Sequence, residues 1–185
     1  MTDDELRQAL VDHAYLEGDF VLRSGKRSSY YLDKYRFETR PDLLGPLGER
    51  IAATVSEHEP EAVRLAAPVI GGIVLAASAA LASGLPFLIV RDEAKEYGTA
   101  NRIEGAYEQG DCVCFVEDIV TSGGALLEAV AAAREAGLVC RTAVCVVDRE
   151  EGGADALARQ AVRLRPLFRS SELLKGVEIA QNPHS

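Results

Sequence analysis

Between Asp111 and Ala125 the chain reads Asp-Cys-Val-Cys-Phe-Val-Glu-Asp-Ile-Val-Thr-Ser-Gly-Gly-Ala, and this run restricts the fold more than any other. Val113 to Val116 is an unbroken apolar stretch, the habit of a strand buried on both faces in a parallel sheet. Glu117 and Asp118 fall at its carboxyl end, where open α/β sheets bind their ligands. Thr121 to Gly124 brings hydroxyls and backbone N–H groups with little bulk, just ahead of a helix-forming segment whose N-terminus favours an anion. Acids suited to sugar hydroxyls therefore stand beside a cradle suited to a phosphate, the two needs of a ribose-phosphate ligand. A plain strand–turn–helix with solvated acids uses the same residue types, and either feature alone would carry that plainer reading. No lysine follows the glycines, as a Walker loop requires, and the turn is not the G-x-G-x-x-G of dinucleotide sites.

The rest of the chain alternates helical and strand-like signals, which predicts an α/β sheet flanked by helices. Thr2 with Glu5 forms a capping-box pattern before Leu6, Ala9, Leu10, His13 and Ala14 at helical spacing. Phe20-Val21-Leu22 and Tyr30-Tyr31-Leu32 flank Ser24-Gly25-Lys26-Arg27-Ser28, the pattern of a small antiparallel hairpin. Pro41 opens a helix running to about His58. Leu65 to Pro68 predicts a short strand, Gly71-Gly72 an Ala-rich helix ending near Gly84, and Pro86 to Val90 another buried strand. Arg91 to Asp111 is charged and glycine-rich with no apolar period, which predicts a mobile functional loop rather than a packed element. Beyond Gly124 the pattern predicts a helix over Ala125 to Ala136 closed by Gly137, then a strand over Val139 to Val147 ending in Asp148-Arg149-Glu150. A short helix, a strand over Val162 to Phe168 and a helical turn at Ser171 to Leu174 complete it.

A chain of 185 residues with 48% hydrophobic and 26% charged residues can bury a sizeable core, and its length suits one domain. Its apolar runs stop well short of the ~18–20 residues that span a bilayer, and the acidic Met1-Thr2-Asp3-Asp4-Glu5 start is unlike a signal peptide. The expected setting is the cytoplasm. A net charge of −9 works against nucleic-acid binding. Cys112, Cys114, Cys140 and Cys145 contain no C-x-x-C pair and sit in apolar segments, which predicts buried free thiols. His13, His58 and His184 keep no ligand spacing, so no structural zinc is expected.

The Asp111–Ala125 run resembles the phosphoribosyl-pyrophosphate (PRPP) motif of the type I phosphoribosyltransferases: apolar strand, two acids, two apolar residues, then small hydroxyl residues and glycine. Four further segments, within a resemblance covering about Asp19 to Leu174, are similar to the orotate-using branch of that family. Phe20 to Tyr31 resembles the N-terminal hood, with Arg23 just before Ser24-Gly25 and aromatic residues after it. A planar anionic base wants a cation, hydrogen-bond donors and a flat apolar cover; read alone, the segment is a basic turn with packed tyrosines. Pro68-Val69-Ile70-Gly71-Gly72 stands at the place of the pyrophosphate loop, where glycines let backbone amides approach phosphate oxygens. Some relatives carry lysine where Gly71 stands, so this version would bind pyrophosphate mainly through backbone; a plain strand-to-helix turn has the same composition. Arg91 to Gly98 resembles the catalytic loop. Arg91 and Lys95 match it, while Asp92 stands where most relatives have lysine and Tyr97 where bacterial members have histidine. Asp148-Arg149-Glu150-Glu151 resembles the Asp-Arg-x-Glu turn whose arginine binds the orotate carboxylate in two parallel hydrogen bonds; an arginine among acids is otherwise a surface ion-pair network.

The resemblance implies the type I phosphoribosyltransferase fold, a mostly parallel sheet flanked by helices. Residues 1–40 would form the first helix and hood, and residues 41–185 the core. It implies transfer of ribose 5-phosphate from PRPP to orotate, giving orotidine 5′-monophosphate (OMP) and pyrophosphate in UMP synthesis. Mg2+ would be carried mainly by PRPP rather than by protein ligands. The implied catalytic residues are Lys95, Arg91, Asp118 and Glu117. PRPP would further meet Tyr97, Ile119, Val120, Thr121, Ser122, Gly123, Gly124, Ala125, Gly71 and Gly72, and orotate would meet Arg23, Tyr31, Thr121 and Arg149. A homodimer sharing loop 91–105 across its interface is implied. Two other readings stay open on sequence: a phosphoribosyltransferase for another base, and a PRPP-sensing regulator of DNA, which Asp92 would suit but which lacks a recognisable helix-turn-helix or basic extension.

Overall fold

The computed structural model describes residues 1–21, 27–92 and 102–176. Helix α1 (Asp3–Ala14) opens on the expected capping box, Thr2 accepting from the Glu5 N–H while the Glu5 carboxylate accepts from the Thr2 N–H. It leads into an antiparallel hairpin of β1 (Tyr15–Val21) and β2 (Arg27–Leu32). The hairpin starts earlier than Phe20, because Tyr15 stacks on Tyr30 with ring centroids 5.7 Å apart. A one-turn helix, α2 (Tyr35–Glu38), follows, buries Phe37, and was not expected from the sequence pattern. Helix α3 (Pro41–His58) places Leu43, Leu47, Ile51 and Val55 on one fully buried stripe, each worth about 1.5–3 kcal/mol of apolar burial.

The remaining elements are β3 (Arg64–Pro68), α4 (Gly71–Ser83), β4 (Phe87–Val90), β5 (Ile103–Glu104), β6 (Cys112–Val120), α5 (Gly124–Glu135), β7 (Val139–Asp148), α6 (Gly153–Arg159), β8 (Arg163–Arg169) and α7 (Ser170–Leu173). The main sheet has the order β5-β4-β3-β6-β7-β8, parallel throughout except for β5 against β4. Both faces are covered. Leu10, Leu47, Ile51 and Leu75 pack with Cys114 and Val116 on one side. Leu126, Val130 and Leu157 pack with Val113 and Phe115 on the other. That double burial is why the middle of the chain reads as a continuous apolar run instead of alternating. All four cysteines are buried free thiols, and burial raises the Cys140 thiol to about 12.

Two expectations need correcting. The segment from Arg91 to Asp111 is not all loop: Ile103 pairs with Val90, Glu104 pairs with Ile89, and Ile103 is buried. A lone isoleucine among charges has no period to betray a strand, and the edge of β4 supplies its pairing. Strand β6 also runs past Val116 to Val120, in register with β7 from Cys112↔Val139 to Val120↔Asp148. Glu117 and Asp118 therefore lie inside the strand and not beyond it. From β3 the chain steps outward to β4 and returns to β6 on the other side of β3. The carboxyl ends of β3 and β6 flank this switch point, the place where open α/β sheets hold ligands.

Candidate active site at the switch point

Strand alternation turns Asp118 toward α4 and Glu117 toward the opposite face. Asp118 Oδ2 accepts a hydrogen bond from Lys34 Nζ at 2.7 Å, and its Oδ1 accepts from the Ile119 N–H. The turn after β3, which contains a cis peptide between Val69 and Ile70, delivers Gly71 against this pair. A Cβ on Gly71 would lie 2.6 Å from Lys34 Nζ, 2.7 Å from Asp118 Cγ, and closer still to Asp118 Oδ2. Only glycine leaves room there.

Three carboxylates and one cation lie within electrostatic reach of one another at this strand end. Glu38, Glu117 and Asp118 are 3%, 8% and 3% exposed, whereas the Lys34 side chain keeps 30% of its surface. Burial pushes the Glu38 and Glu117 carboxyls up to about 8, and the charge of Asp118 adds to the effect. Burial opposes the Lys34 ammonium, yet its bond to Asp118 and the charges of Asp118, Glu38 and Glu117 outweigh that, so its pKa lies above the usual lysine value. At neutral pH the cluster is thus an ion pair with two protonated neighbours. It can trade protons for sugar hydroxyls or for arriving cations.

Beside it, the turn after β6 runs through Gly123 at φ 80° into α5, which no side chain caps. Its orphan N–H groups suit an anion. A Cβ on Gly153 would lie 2.5 Å from the Thr121 carbonyl oxygen, so the turn after β7 interlocks with the turn after β6. The Arg149 N–H donates to the Val120 carbonyl at 2.8 Å, fixing that second turn to the strand end. Its side chain is only 8% exposed and sits 4.9 Å over the Tyr30 ring, with Nη2 3.2 Å from Glu151 Oε1. Arg149 Nε is buried and has no hydrogen-bond partner among the described residues.

Of the residues singled out from sequence, the fold gathers Gly71, Gly72, Glu117, Asp118, Ile119, Val120, Thr121, Ser122, Gly123, Gly124, Ala125 and Arg149 around this switch point. Tyr31 is not brought to Arg149; it packs on Phe20 at 5.6 Å and is 41% exposed, while its neighbour Tyr30 takes the place under the guanidinium. Arg91 and Asp92 are exposed beyond the end of β4, with the Arg91 N–H bonded to the Arg102 carbonyl and Arg102 Nε to the Arg91 carbonyl. Arg23, Lys95 and Tyr97 lie outside the described residues, as does most of the loop 91–105. Lys34, Glu38 and Tyr30 were missed. The absence of lysine at Gly71 was a signal, since it left the question of which cation serves that turn. Among the described residues no group of three or more His, Cys, Asp or Glu side chains is arranged to hold a metal ion, and no helix is long and apolar enough to cross a membrane.

No family model matches the chain. The orotate phosphoribosyltransferase of Methanocella arvoryzae is 49% identical over 173 residues, covering 93% of this chain and 97% of its own length. That of Halobacterium salinarum is 44% identical over 173 residues, covering 94% and 97%. Among solved structures, the orotate phosphoribosyltransferase from Aeropyrum pernix superposes with a TM-score of 0.82 at 32% identity, covering 92% of this chain and 96% of that one.

Proposed function

The chain belongs to the orotate phosphoribosyltransferases, and on that premise we propose how its residues transfer ribose 5-phosphate from PRPP to orotate, giving OMP and pyrophosphate on the way to UMP. The observation that carries the choice of base is Arg149. A buried guanidinium 4.9 Å over the Tyr30 ring, with an unpartnered Nε, suits a planar ring bearing a carboxylate, whose two oxygens take its parallel donors in a way a neutral purine would not need.

In this reading Thr121 to Ala125 cradle the 5′-phosphate at the start of α5, with Ile119 and Val120 shaping the floor of the site. Gly71 and Gly72 admit the diphosphate to the end of β3. Glu117 and Asp118 accept hydrogen bonds from the ribose hydroxyls. When the bond from C1 to the diphosphate oxygen breaks, the electron pair leaves with the pyrophosphate and the sugar becomes oxocarbenium-like. Glu117 and Asp118 would stabilise that positive charge, and a ring nitrogen of orotate bonds to C1 in place of the departing diphosphate oxygen. Arg91, Lys95 and Tyr97 meet the departing pyrophosphate from the closing loop, which also excludes water. Arg149, Arg23, Tyr31 and Thr121 hold orotate, and Tyr30 joins them.

The donor set fits Mg2+ arriving on PRPP: Glu117 and Asp118 offer hard carboxylate oxygens and would hold the ion directly or through water. Bound there, the ion supplies charge neutralisation to the diphosphate. Asp92 sets an acid where an anion leaves, with Arg91 beside it and Arg102, bonded to Arg91, as the described cations of that loop. A loop that closes over the neighbouring copy's substrates makes a symmetric dimer the working unit, acting in the cytoplasm.

The test is direct. Purified protein mixed with orotate, PRPP and Mg2+ should consume orotate absorbance, with no loss when PRPP is omitted and none with hypoxanthine or uracil competing in its place. No orotate consumption at micromolar enzyme would sink the assignment.

A further inference from the structure

We infer that Lys34 is a diphosphate-binding residue of this enzyme, delivering from α2 the ammonium that the turn after β3 lacks in its own sequence. The inference rests on the function proposed above and adds a residue to it.

Three observations carry it. First, Lys34 Nζ lies 2.6 Å from where a side chain at position 71 would begin, beside the Asp118 carboxylate that occupies that space, so the ammonium stands at the turn after β3. Second, an ammonium has three donors, and among the described residues this one uses a single hydrogen bond, to Asp118 at 2.7 Å. Its side chain is 30% exposed although its partner is 4% exposed, so the lysine is reachable from outside the pocket while Asp118 is not. Third, the Asp118 carboxylate would repel a diphosphate, and Lys34 is the cation paired to it at 2.7 Å. A cation held at 2.7 Å by a residue that also serves the sugar is fixed in place before the substrate enters, which lowers the ordering cost of binding.

A purely structural role makes a different prediction. If Lys34 only holds Asp118, its loss should disturb every ligand that touches Asp118. OMP carries the ribose hydroxyls and the 5′-phosphate but no diphosphate, and Mg-pyrophosphate carries the reverse, so the pair separates the roles.

The experiment is titration calorimetry of Lys34→Gln and Lys34→Arg with Mg-pyrophosphate and with OMP, alongside the PRPP KM. Lys34→Gln should weaken pyrophosphate about tenfold or more and raise the PRPP KM by a similar factor, as expected for one lost charge-assisted contact. OMP affinity should stay within about threefold, and Lys34→Arg should recover most of the pyrophosphate binding. Equal losses for OMP and pyrophosphate, or unchanged pyrophosphate binding, would overturn the inference. If Lys34→Gln does not fold, the wild-type protein decides: Mg-pyrophosphate should protect Lys34 from reductive methylation more than OMP does, and equal or absent protection counts against it. Wild-type protein that binds neither ligand and consumes no orotate would instead refute the proposed function itself.

Discussion

Replacing Gly71 with alanine places one methyl group against the Lys34–Asp118 pair, and the two effects it combines have opposite sign. The new Cβ would lie 2.7 Å from Asp118 Cγ and 2.6 Å from Lys34 Nζ, whereas carbon atoms rest about 3.5–4.0 Å apart. Asp118 must therefore turn away by about an ångström, which breaks its 2.7 Å bond to Lys34. Stripping a partner from a fully buried ion pair costs about 3–5 kcal/mol. Here both charges survive and Lys34 reaches water at 30% exposure, so about 1.5–3 kcal/mol is the better figure. Against this, alanine at the start of α4 recovers up to about 1 kcal/mol of glycine's conformational freedom. The net expectation is a loss of about 1–2 kcal/mol, or about 2–8 °C in Tm for a domain of this size. Urea unfolding should show a lower midpoint at unchanged slope. The same substitution made in an Asp118→Ala background meets no carboxylate, so there it should be neutral or mildly stabilising. A Gly71→Ala cost that is identical in the two backgrounds would show that Asp118 does not occupy the space beside Gly71, and the site geometry would be wrong.

Two other perturbations test the electrostatics and the base pocket. Glu38 and Glu117 have carboxyls raised to about 8 from 4.5, so the folded state binds more protons than the unfolded chain between those values. Their contribution to stability is complete below about pH 4.5 and is lost as pH rises through about 8. Glu38→Gln removes one of the two groups and should make the fall between about pH 5.5 and pH 8.5 shallower by roughly 1–2 kcal/mol, read from urea midpoints across that range; an unchanged slope would exclude Glu38 as a proton holder. Arg149→Ala should raise the orotate KM by about 10–100-fold, the worth of a charged hydrogen-bonded contact, while the PRPP KM changes by less than about threefold. Equal losses for the two substrates would argue against its carboxylate role.

The core of this fold was legible because its signals are local. The apolar run into Glu117-Asp118 and the glycines after it declare a buried strand, a turn and a helix without reference to anything distant. The one-turn α2 and the two-residue β5 gave no such signal, since neither is long enough for its period to repeat. In the site, Asp118 and Arg149 could be read as members of motifs, but the partners that set their chemistry could not. Lys34 is 84 positions from Asp118, and only the packing of α2 on α4 brings them together. Sequence alone does not say which face of β2 looks inward; the stacking of Tyr15 on Tyr30 turns Tyr30 toward Arg149 and leaves Tyr31 on the other face.

That choice of face has a mechanical consequence. Strand β2 and the short α2 are one continuous segment, and they touch both ends of the site. Tyr30 lies under Arg149 at the end of β7, the place proposed for the base. Lys34 lies against Asp118 and Gly71 at the ends of β6 and β3, the place proposed for the ribose and diphosphate. Each contact is made to a different strand of the rigid sheet, so neither can shift far without dragging on the other through the few residues between them. Because Lys34 also pairs with Asp118, docking this segment and supplying that acid with its cation are the same event, and a hairpin displaced from the sheet would leave Asp118 without its cation as well as Arg149 without its ring.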